Sequence, residues 1–161
     1  MQTHVIPGYS RFSVTRPAET EGTVAWGLLL RTHAALVPEL GRLVEDATGL
    51  PLTWYDALLE LNQAPDRCLR MTELGERVVL SRSQVSRVVD DMIECDLVGK
   101  QPDPTDGRAT LAFLTPKGRG ALRRAAPFYL EGIERLFSSR LTGREIKDMT
   151  SALTRVLEEN R

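Results

Sequence analysis

Residues 72–114, TELGERVVLSRSQVSRVVDDMIECDLVGKQPDPTDGRATLAFL, have the pattern of two helices followed by two extended segments. Ser81 and Gln84 have the spacing of a capping box, in which each side chain binds the backbone N–H of the other residue, so the second helix begins at Ser81. Asp106-Gly107 lies between two segments of alternating hydrophobicity, which indicates a β-hairpin. The two helices predict a helix-turn-helix, and the hairpin lies where a wing would follow it.

The second helix, residues 81–94, has one apolar and one polar face when about 100° is allowed per residue. The apolar face contains Val85, Val88, Val89, Met92 and Ile93. The polar face has no acidic residue in its first half, whereas Asp90, Asp91 and Glu94 lie in its second half. A recognition helix enters the major groove with its N-terminal residues at the base edges, so this polarity favours DNA recognition. The helix alone also fits an ordinary amphipathic surface helix with a good cap.

Side chains at the start of this helix have the chemistry needed to read bases, because arginine can bind guanine, glutamine can bind adenine and serine can bind several bases. Thr72, at the start of the preceding helix, is suited to bind a phosphate. Arg108 can enter the minor groove with Asp106 orienting it; alternatively, Arg108 is only solvated and Asp106 is only a turn residue. The predicted DNA-binding residues are Thr72, Ser81, Arg82, Ser83, Gln84, Ser86, Arg87, Lys100, Asp106 and Arg108.

Helical periodicity continues on both sides of this segment. Thr53 is predicted to cap a short helix before it, and Thr115-Pro116 is predicted to begin a long helix after it. The predicted helices cover residues 23–48, 53–63, 72–78, 81–94, 116–139 and 142–158, and the extended segments cover 68–71, 97–101 and 109–114. The predicted fold class is therefore mainly α, an α+β winged helix-turn-helix with about six helices and a two- to three-stranded β-wing.

The 161 residues have a formal net charge of −1, and 42% of them are hydrophobic, which is typical of a globular protein. Residues 67–88 hold five arginines against two glutamates, residues 117–124 hold four basic residues and no acid, and residues 43–66 hold five acids and no base. Chance also produces such clusters, but a nearly neutral chain can bind DNA only through a local basic surface.

No apolar run approaches the about 20 residues of a membrane helix, and the first residues lack a signal-peptide pattern.

Cys68 and Cys95 are the only cysteines, and without a Cys-x-x-Cys pair they predict neither a disulfide framework nor a zinc site. The sequence has no His-Glu-x-x-His, P-loop or Gly-x-Ser-x-Gly motif, and its two histidines give little material for catalysis. We therefore expect no enzyme activity, no metal and no cofactor. A winged-helix protein-interaction module without specific DNA binding is the alternative, and the acid-free start of the second helix and the basic residues 117–124 disfavour it.

The segment from Cys68 to Leu122 resembles the winged helix-turn-helix of the multiple antibiotic resistance regulator (MarR) family, and with its flanking helices the resemblance covers residues 23–159. In the capped helix the matching residues are Ser83, Gln84, Val85 and Arg87. After this helix the match includes the strand start Leu97-Val98, the wing residues Asp103 and Asp106-x-Arg108, and Leu114-Thr115 with Gly118. Gly107 stands where the family often has a second basic residue, Asp96 where it usually has glycine, and Gly75 where it often has alanine. Aspartate adopts the left-handed conformation more readily than most residues.

The resemblance implies a homodimer whose N- and C-terminal helices pack together, a palindromic double-stranded DNA site, and repression that a small molecule relieves. It implies that Ser83, Gln84, Ser86 and Arg87 face the major groove and that Arg108 faces the minor groove. The last two helices have more apolar residues than one thin helical layer covers, which favours a two-fold dimer over a self-contained bundle. The expected domains are an N-terminal arm at 1–20, dimerisation helices at 21–50 and 116–161, and a DNA-binding domain at 51–115.

The resemblance also implies an effector pocket between the dimerisation helices and the winged domain. Trp26, His33, Trp54 and Tyr55 could line this pocket for a phenolic or other aromatic molecule, or could pack in the core. The two cysteines could sense oxidants or could be inert buried residues. The expected partners are therefore double-stranded DNA, a second copy of the chain and a small-molecule effector, in a protein that acts in the cytoplasm at the nucleoid.

Overall fold

The computed structural model describes residues 20–160 of the chain. The N-terminal arm predicted for residues 1–20 lies, apart from Thr20, outside the described residues. Within the described range the helices are α1 (Glu21–Thr48), α2 (Leu52–Gln63), α3 (Met71–Arg77), α4 (Arg82–Glu94), α5 (Pro116–Leu136) and α6 (Gly143–Glu159), and the strands are β1 (Cys68–Arg70), β2 (Val98–Pro102) and β3 (Thr110–Leu114). The chain forms two compact units with a boundary after Ala34, and the second unit contains every element from α2 onward. The mainly α winged helix-turn-helix predicted from the sequence is confirmed.

The predicted Ser81 and Thr115 cap α4 and α5, and Thr142 caps α6, because these side chains bind N–H groups that the first turn of a helix leaves without partners. At the start of α5, Thr115 Oγ1 accepts a hydrogen bond from the N–H of Gly118 at 2.9 Å. At the start of α6, Thr142 and Glu145 form a reciprocal capping box. These local bonds fix where each helix enters the fold.

Helix boundaries differ from the prediction at α2 and α5. The prediction that Thr53 caps α2 is wrong, because α2 begins at Leu52 and Pro51 holds the N-cap position with φ −57 and ψ 143. Proline fixes φ near the value observed here, and no side chain caps the first turn of α2. α5 ends at Leu136 and does not reach residue 139, since Phe137 leaves the helical region with φ −129 and ψ −67.

The three strands form one antiparallel sheet in the order β1-β3-β2. Leu69 of β1 pairs with Ala112 of β3, and Val98 of β2 pairs with Leu114 of β3. The wing is the β2–β3 hairpin, and β1 adds a third strand immediately before α3. The wing and the helix-turn-helix are therefore joined through the sheet as well as along the chain.

The core lies between the C-terminal part of α1, helices α2 to α5 and the sheet. Its largest fully buried side chains are Leu58, Leu61, Leu74, Met92, Val44 and Val89. α4 buries Val85, Val89 and Met92, which belong to the apolar face predicted from the sequence. Gly75 lets α3 approach α4 closely, because a Cβ at this position would lie 3.2 Å from Val85 Cγ1. Burial thus fixes which face of α4 is exposed to solvent.

The chain turns after α4 through Asp96, which has the expected left-handed conformation with φ 58. Thr115 Oγ1 lies 2.8 Å from the carbonyl oxygen of Asp96 and 2.9 Å from that of Leu97, and it donates to these carbonyls. Gly118 packs against the Leu97 carbonyl so closely that a Cβ at residue 118 would overlap it. The start of α5 is therefore held against the end of the α4–β2 connection.

The turn between α3 and α4 places Val79 in the left-handed region at φ 56, with its side chain 88% exposed. This conformation costs L-residues about 1–2 kcal/mol, and asparagine adopts it more readily than valine. We expect Val79→Asn to raise the free energy of unfolding by about 1 kcal/mol in urea denaturation. Val78→Asn is the matched control and should lower the free energy of unfolding, because Val78 is half-buried and has φ −90. A lower unfolding free energy for Val79→Asn would contradict the proposed strain.

Candidate nucleic-acid interface

A groove of about 540 Å³ lies between the first turns of α3 and α4 and the wing. Its walls include six of the ten residues predicted to bind DNA: Thr72, Arg82, Ser86, Lys100, Asp106 and Arg108. The other four, Ser81, Ser83, Gln84 and Arg87, are exposed at the start of α4 and along its outer face. The fold thus gathers side chains from three elements around one open groove.

The capping box at the start of α4 uses the side chain of Gln84. Gln84 Oε1 accepts from the N–H of Ser81 at 3.0 Å, and Ser81 Oγ accepts from the N–H of Gln84 at 3.4 Å. The amide group of Gln84 can donate from its NH₂ in this position, and its oxygen has a second lone pair that can accept from adenine while the cap is kept. Arg82 and Arg87 form no ion pair with any residue of the described range, so their charges are available on this surface.

The base of the wing is held by Asp103, which is only 6% exposed. One oxygen of Asp103 accepts from the hydroxyl and backbone N–H of Thr105, at 2.7 and 2.8 Å. The other oxygen accepts from Arg70 Nε at 2.7 Å. The two bonds from Thr105 and the adjacent Arg70 guanidinium lower the pKa of Asp103 to about 2. Because Arg70 ends β1 and directly precedes α3, this cluster ties the wing to the helix-turn-helix.

The bonds of Asp103 give the stability of the fold a specific pH dependence. The carboxylate stabilises the folded state above its unfolded pKa of about 4, and this contribution is lost as the pH falls through the folded pKa of about 2. We expect Asp103→Asn to lower the urea midpoint most above pH 4, with a difference from the unchanged protein that shrinks towards pH 2. Thr105→Val should move the acid transition to higher pH, because it removes the hydroxyl bond. A pH-independent difference for Asp103→Asn would contradict this role of the carboxylate.

Asp106 has a clear structural role in the wing turn. Its Oδ1 accepts from the backbone N–H of Arg108 at 3.1 Å, and its carbonyl accepts from the N–H of Ala109 at 2.8 Å. Within residues 20–160 no ion pair involves Asp106 or the guanidinium of Arg108. The contacts therefore support the turn interpretation of Asp106 and leave the exposed Arg108 side chain at the groove.

Lys100 and α4 are joined by an ion pair that the sequence did not indicate. Lys100 Nζ donates to Asp90 Oδ1 at 2.6 Å, and Ser86 Oγ donates to Asp90 Oδ2 at 3.4 Å. The hydrogen bond from Lys100 lowers the pKa of Asp90 below its usual value. The pair joins α4 to β2. It can be predicted from the sequence only when the position of the helix relative to the wing is known.

The residues predicted to line an effector pocket have different environments. Trp26 is 61% exposed and His33 is exposed, both on α1 in the first compact unit. In the second unit, Trp54 is half-buried and Tyr55 is buried, with its ring stacked on Tyr129 at a centroid distance of 4.3 Å. Burial raises the pKa of Tyr55 to about 12. Tyr55 is thus part of the α2–α5 packing, and an effector pocket remains a prediction.

A second groove, of about 390 Å³, lies between the C-terminal part of α1 and α5. Its lining residues are Leu43, Asp46, Ala47, Phe128, Glu131, Gly132 and Arg135, and none of the four predicted effector residues is among them.

No group of three or more His, Cys, Asp or Glu side chains in the described part of the chain could hold a metal ion. Among the helices of residues 20–160, none is both long and apolar enough to cross a membrane.

Known proteins identify the family of this fold. A sequence model of the MarR family matches residues 48–109. The HTH-type transcriptional regulator MhqR of Bacillus subtilis (strain 168) is 31% identical over 108 residues, which are 67% of this chain and 72% of MhqR. The chain belongs to the MarR family. Its members are transcriptional regulators, and this chain is accordingly a DNA-binding transcriptional regulator and not an enzyme.

Solved structures of the family support the assignment over most of the chain. Sco3205, a MarR family transcriptional regulator from Streptomyces coelicolor solved in complex with DNA, is 29% identical with a TM-score of 0.79, covering 89% of this chain and 93% of Sco3205. AbsC, another MarR family regulator from Streptomyces coelicolor, is 25% identical with a TM-score of 0.78, covering 89% of this chain and 97% of AbsC. The similarity extends beyond the winged segment to the flanking helices.

Proposed function

We propose that this MarR family regulator represses transcription as a homodimer, binds a palindromic operator through the groove between α4 and the wing, and releases the operator when a small molecule binds. The groove carries the proposal, because it joins Arg82 and Ser86 of α4 to Arg108 of the wing around one open space. A helix in the major groove and a basic side chain in the adjacent minor groove give complementary contacts to one duplex. The complex of the related Sco3205 with DNA supports the same use of the fold here.

The uncovered apolar residues of the terminal helices support the homodimer. α6 has no buried residue, although Leu153, Val156 and Leu157 recur on one of its faces. On α5, Leu130 is 63% exposed and Phe128 is 42% exposed. A second copy would cover such surfaces, and a two-fold axis would set the two α4 helices about 34–36 Å apart, one turn of B-DNA. Residues 21–50 and 116–161 are accordingly proposed as dimerisation helices, and residues 51–115 as the DNA-binding domain.

The proposed small-molecule response rests on the family resemblance. A ligand would shift the protein away from DNA only if it bound the DNA-competent and incompetent dimers unequally. Trp26, His33 and Trp54 remain the proposed contacts for an aromatic effector, whereas the buried Tyr55 packs against Tyr129. Screening phenolic compounds for release of a bound operator tests this step, and an effector should raise the Kd for DNA without abolishing the dimer.

The operator itself can be found by selecting bound duplexes from a random pool and mapping them onto the genome beside open reading frames. We expect an inverted repeat whose half-site centres are about 10 base pairs apart, or a multiple of this spacing. Affinity for the selected duplex should fall steeply with the logarithm of salt concentration, because phosphate contacts release counterions. A selection that enriches no common sequence would contradict sequence-specific recognition, and so would an affinity that hardly changes with salt concentration.

Arg108 provides a test of the wing contact. We expect Arg108→Ala to weaken binding mainly to operators with A·T-rich flanks, because narrow A·T minor grooves have the most negative potential. Fluorescence anisotropy with matched A·T-rich and G·C-rich flanks measures the difference. Lys117→Ala, which removes an exposed positive charge outside the groove, is the control and should show no preference for either flank. Equal losses for Arg108→Ala on both flanks would count against insertion into the minor groove.

A further inference from the structure

The ion pair between Asp90 and Lys100 lies at the edge of the proposed DNA surface. Lys100 lines the groove together with Arg82 and Arg108, yet its ammonium group is 2.6 Å from the Asp90 carboxylate. The side chain of Asp90 is 58% exposed and that of Lys100 is 27% exposed, so the pair lies at the protein surface. Among these three cations of the groove, Lys100 differs because an acidic side chain already neutralises it.

The same carboxylate also binds a side chain of its own helix, α4. Its second oxygen accepts from Ser86 Oγ at 3.4 Å, one helical turn towards the start of α4. Asp90 therefore joins a residue proposed to read bases to a lysine of β2. Asp106, the acid that lines the groove itself, makes its side-chain bond to the backbone of Arg108 instead.

A lysine without an acidic partner would strengthen binding to any duplex by neutralising a phosphate. Each neutralised phosphate adds about 0.9 to the salt slope, which is the steepness with which the logarithm of the affinity falls with the logarithm of salt concentration. Such sequence-independent binding holds the protein at arbitrary sites, which vastly outnumber operators. A carboxylate near the phosphates opposes binding to every sequence, whereas the base contacts of α4 strengthen binding to the operator alone. An acid at this position thus limits the sequence-independent part of binding, while its hydrogen bond from Ser86 holds a side chain that is proposed to contact the bases of the operator.

We propose that Asp90 is a specificity-determining residue that neutralises Lys100 and holds Ser86, and so limits binding to arbitrary DNA. The inference rests on the proposed binding of an operator through the same groove. It assigns Lys100 to the positioning of β2 against α4 and not to a phosphate contact, in contrast to the role expected from the sequence. Asp90 acts through Lys100 and Ser86 and does not itself bind DNA.

The test compares the unchanged protein with Asp90→Asn, Lys100→Met and the double variant, using an arbitrary duplex and the selected operator between 50 and 200 mM salt. Asp90→Asn should increase the salt slope on arbitrary DNA by about 2 for two protomers, so that its affinity falls about tenfold more across this range. The double variant should lose this gain. Lys100→Met alone should change the slope little. The ratio of operator to arbitrary affinity should fall for Asp90→Asn, because the carboxylate that holds the Ser86 hydroxyl is lost.

Asp91→Asn is the matched control, because the exposed Asp91 is adjacent on α4 and forms no ion pair within the described residues. It removes the same charge and should increase the slope by less than half as much. Equal effects of Asp90→Asn and Asp91→Asn, or a slope that falls by about 2 for Lys100→Met, would overturn the inference. If the protein without substitutions shows no preference for an operator, only the proposed function is refuted, because the variants are compared on arbitrary DNA. An unchanged protein that binds no duplex would refute both.

Discussion

Arg87→Ala is expected to weaken binding to the selected operator by about 1–3 kcal/mol for each protomer, which is the usual effect of losing an arginine that binds guanine. Arg87 is exposed on the outer face of α4 and forms no ion pair within residues 20–160. Its truncation should leave the fold unchanged, because the buried face of the same helix consists of Val85, Val89 and Met92. Fluorescence anisotropy with operator and arbitrary duplexes gives the two affinities, and circular dichroism checks folding.

Two further variants separate base recognition from charge. Arg87→Lys keeps the charge but loses the paired hydrogen bonds, so it should lose most of the operator preference while retaining affinity for arbitrary DNA. Arg77→Ala removes an arginine outside the groove that pairs with Glu60 at 3.4 Å, and it should leave the operator preference unchanged. An Arg87→Ala protein with full operator affinity would refute the proposed role. Equal losses on both duplexes would make Arg87 a phosphate contact.

Local signals in the sequence were sufficient to predict most elements of the fold. The capping boxes at Ser81 and Thr142 involve residues three positions apart, so neither depends on tertiary structure. The apolar face of α4 follows from its periodicity, and the left-handed Asp96 was expected where the family usually has glycine. The boundary at Pro51 was missed because proline and a nearby threonine are both typical of helix starts, and only the backbone angles decide between them.

The contacts that build the site could not be predicted, because they join residues far apart in the sequence. Arg70 and Asp103 are separated by 33 positions and Asp90 and Lys100 by 10, and each pair depends on how the wing lies against the helices. Residue chemistry placed Gln84 among the base-reading side chains, but the same side chain also completes the cap of α4. Sequence patterns therefore predicted which residues lie at the interface. They did not predict the hydrogen bonds and ion pairs that some of these side chains already form.

The second large effect is expected at the proposed dimer interface. Leu157→Glu should convert the dimer to a monomer, because Leu157 is 65% exposed in one chain and would place a charge inside an apolar interface. Leu153 and Val156 lie on the same face of α6 and would be covered by the same partner. A monomer binds one half-site at a time, so operator affinity should fall by about 100-fold or more. Sedimentation equilibrium measures the mass, and anisotropy measures the DNA affinity.

Ser151→Glu is the matched control, because it adds the same charge to α6 on the side facing away from Leu157 and should preserve the dimer. A duplex with a single half-site separates loss of dimerisation from damage to the winged domain. Leu157→Glu should bind this half-site as the unchanged chain does, since α4 and the wing are untouched. A Leu157→Glu protein that remains dimeric would place the interface elsewhere. A monomeric protein with full operator affinity would show that each chain recognises DNA independently, and the palindromic operator would then have no physical basis.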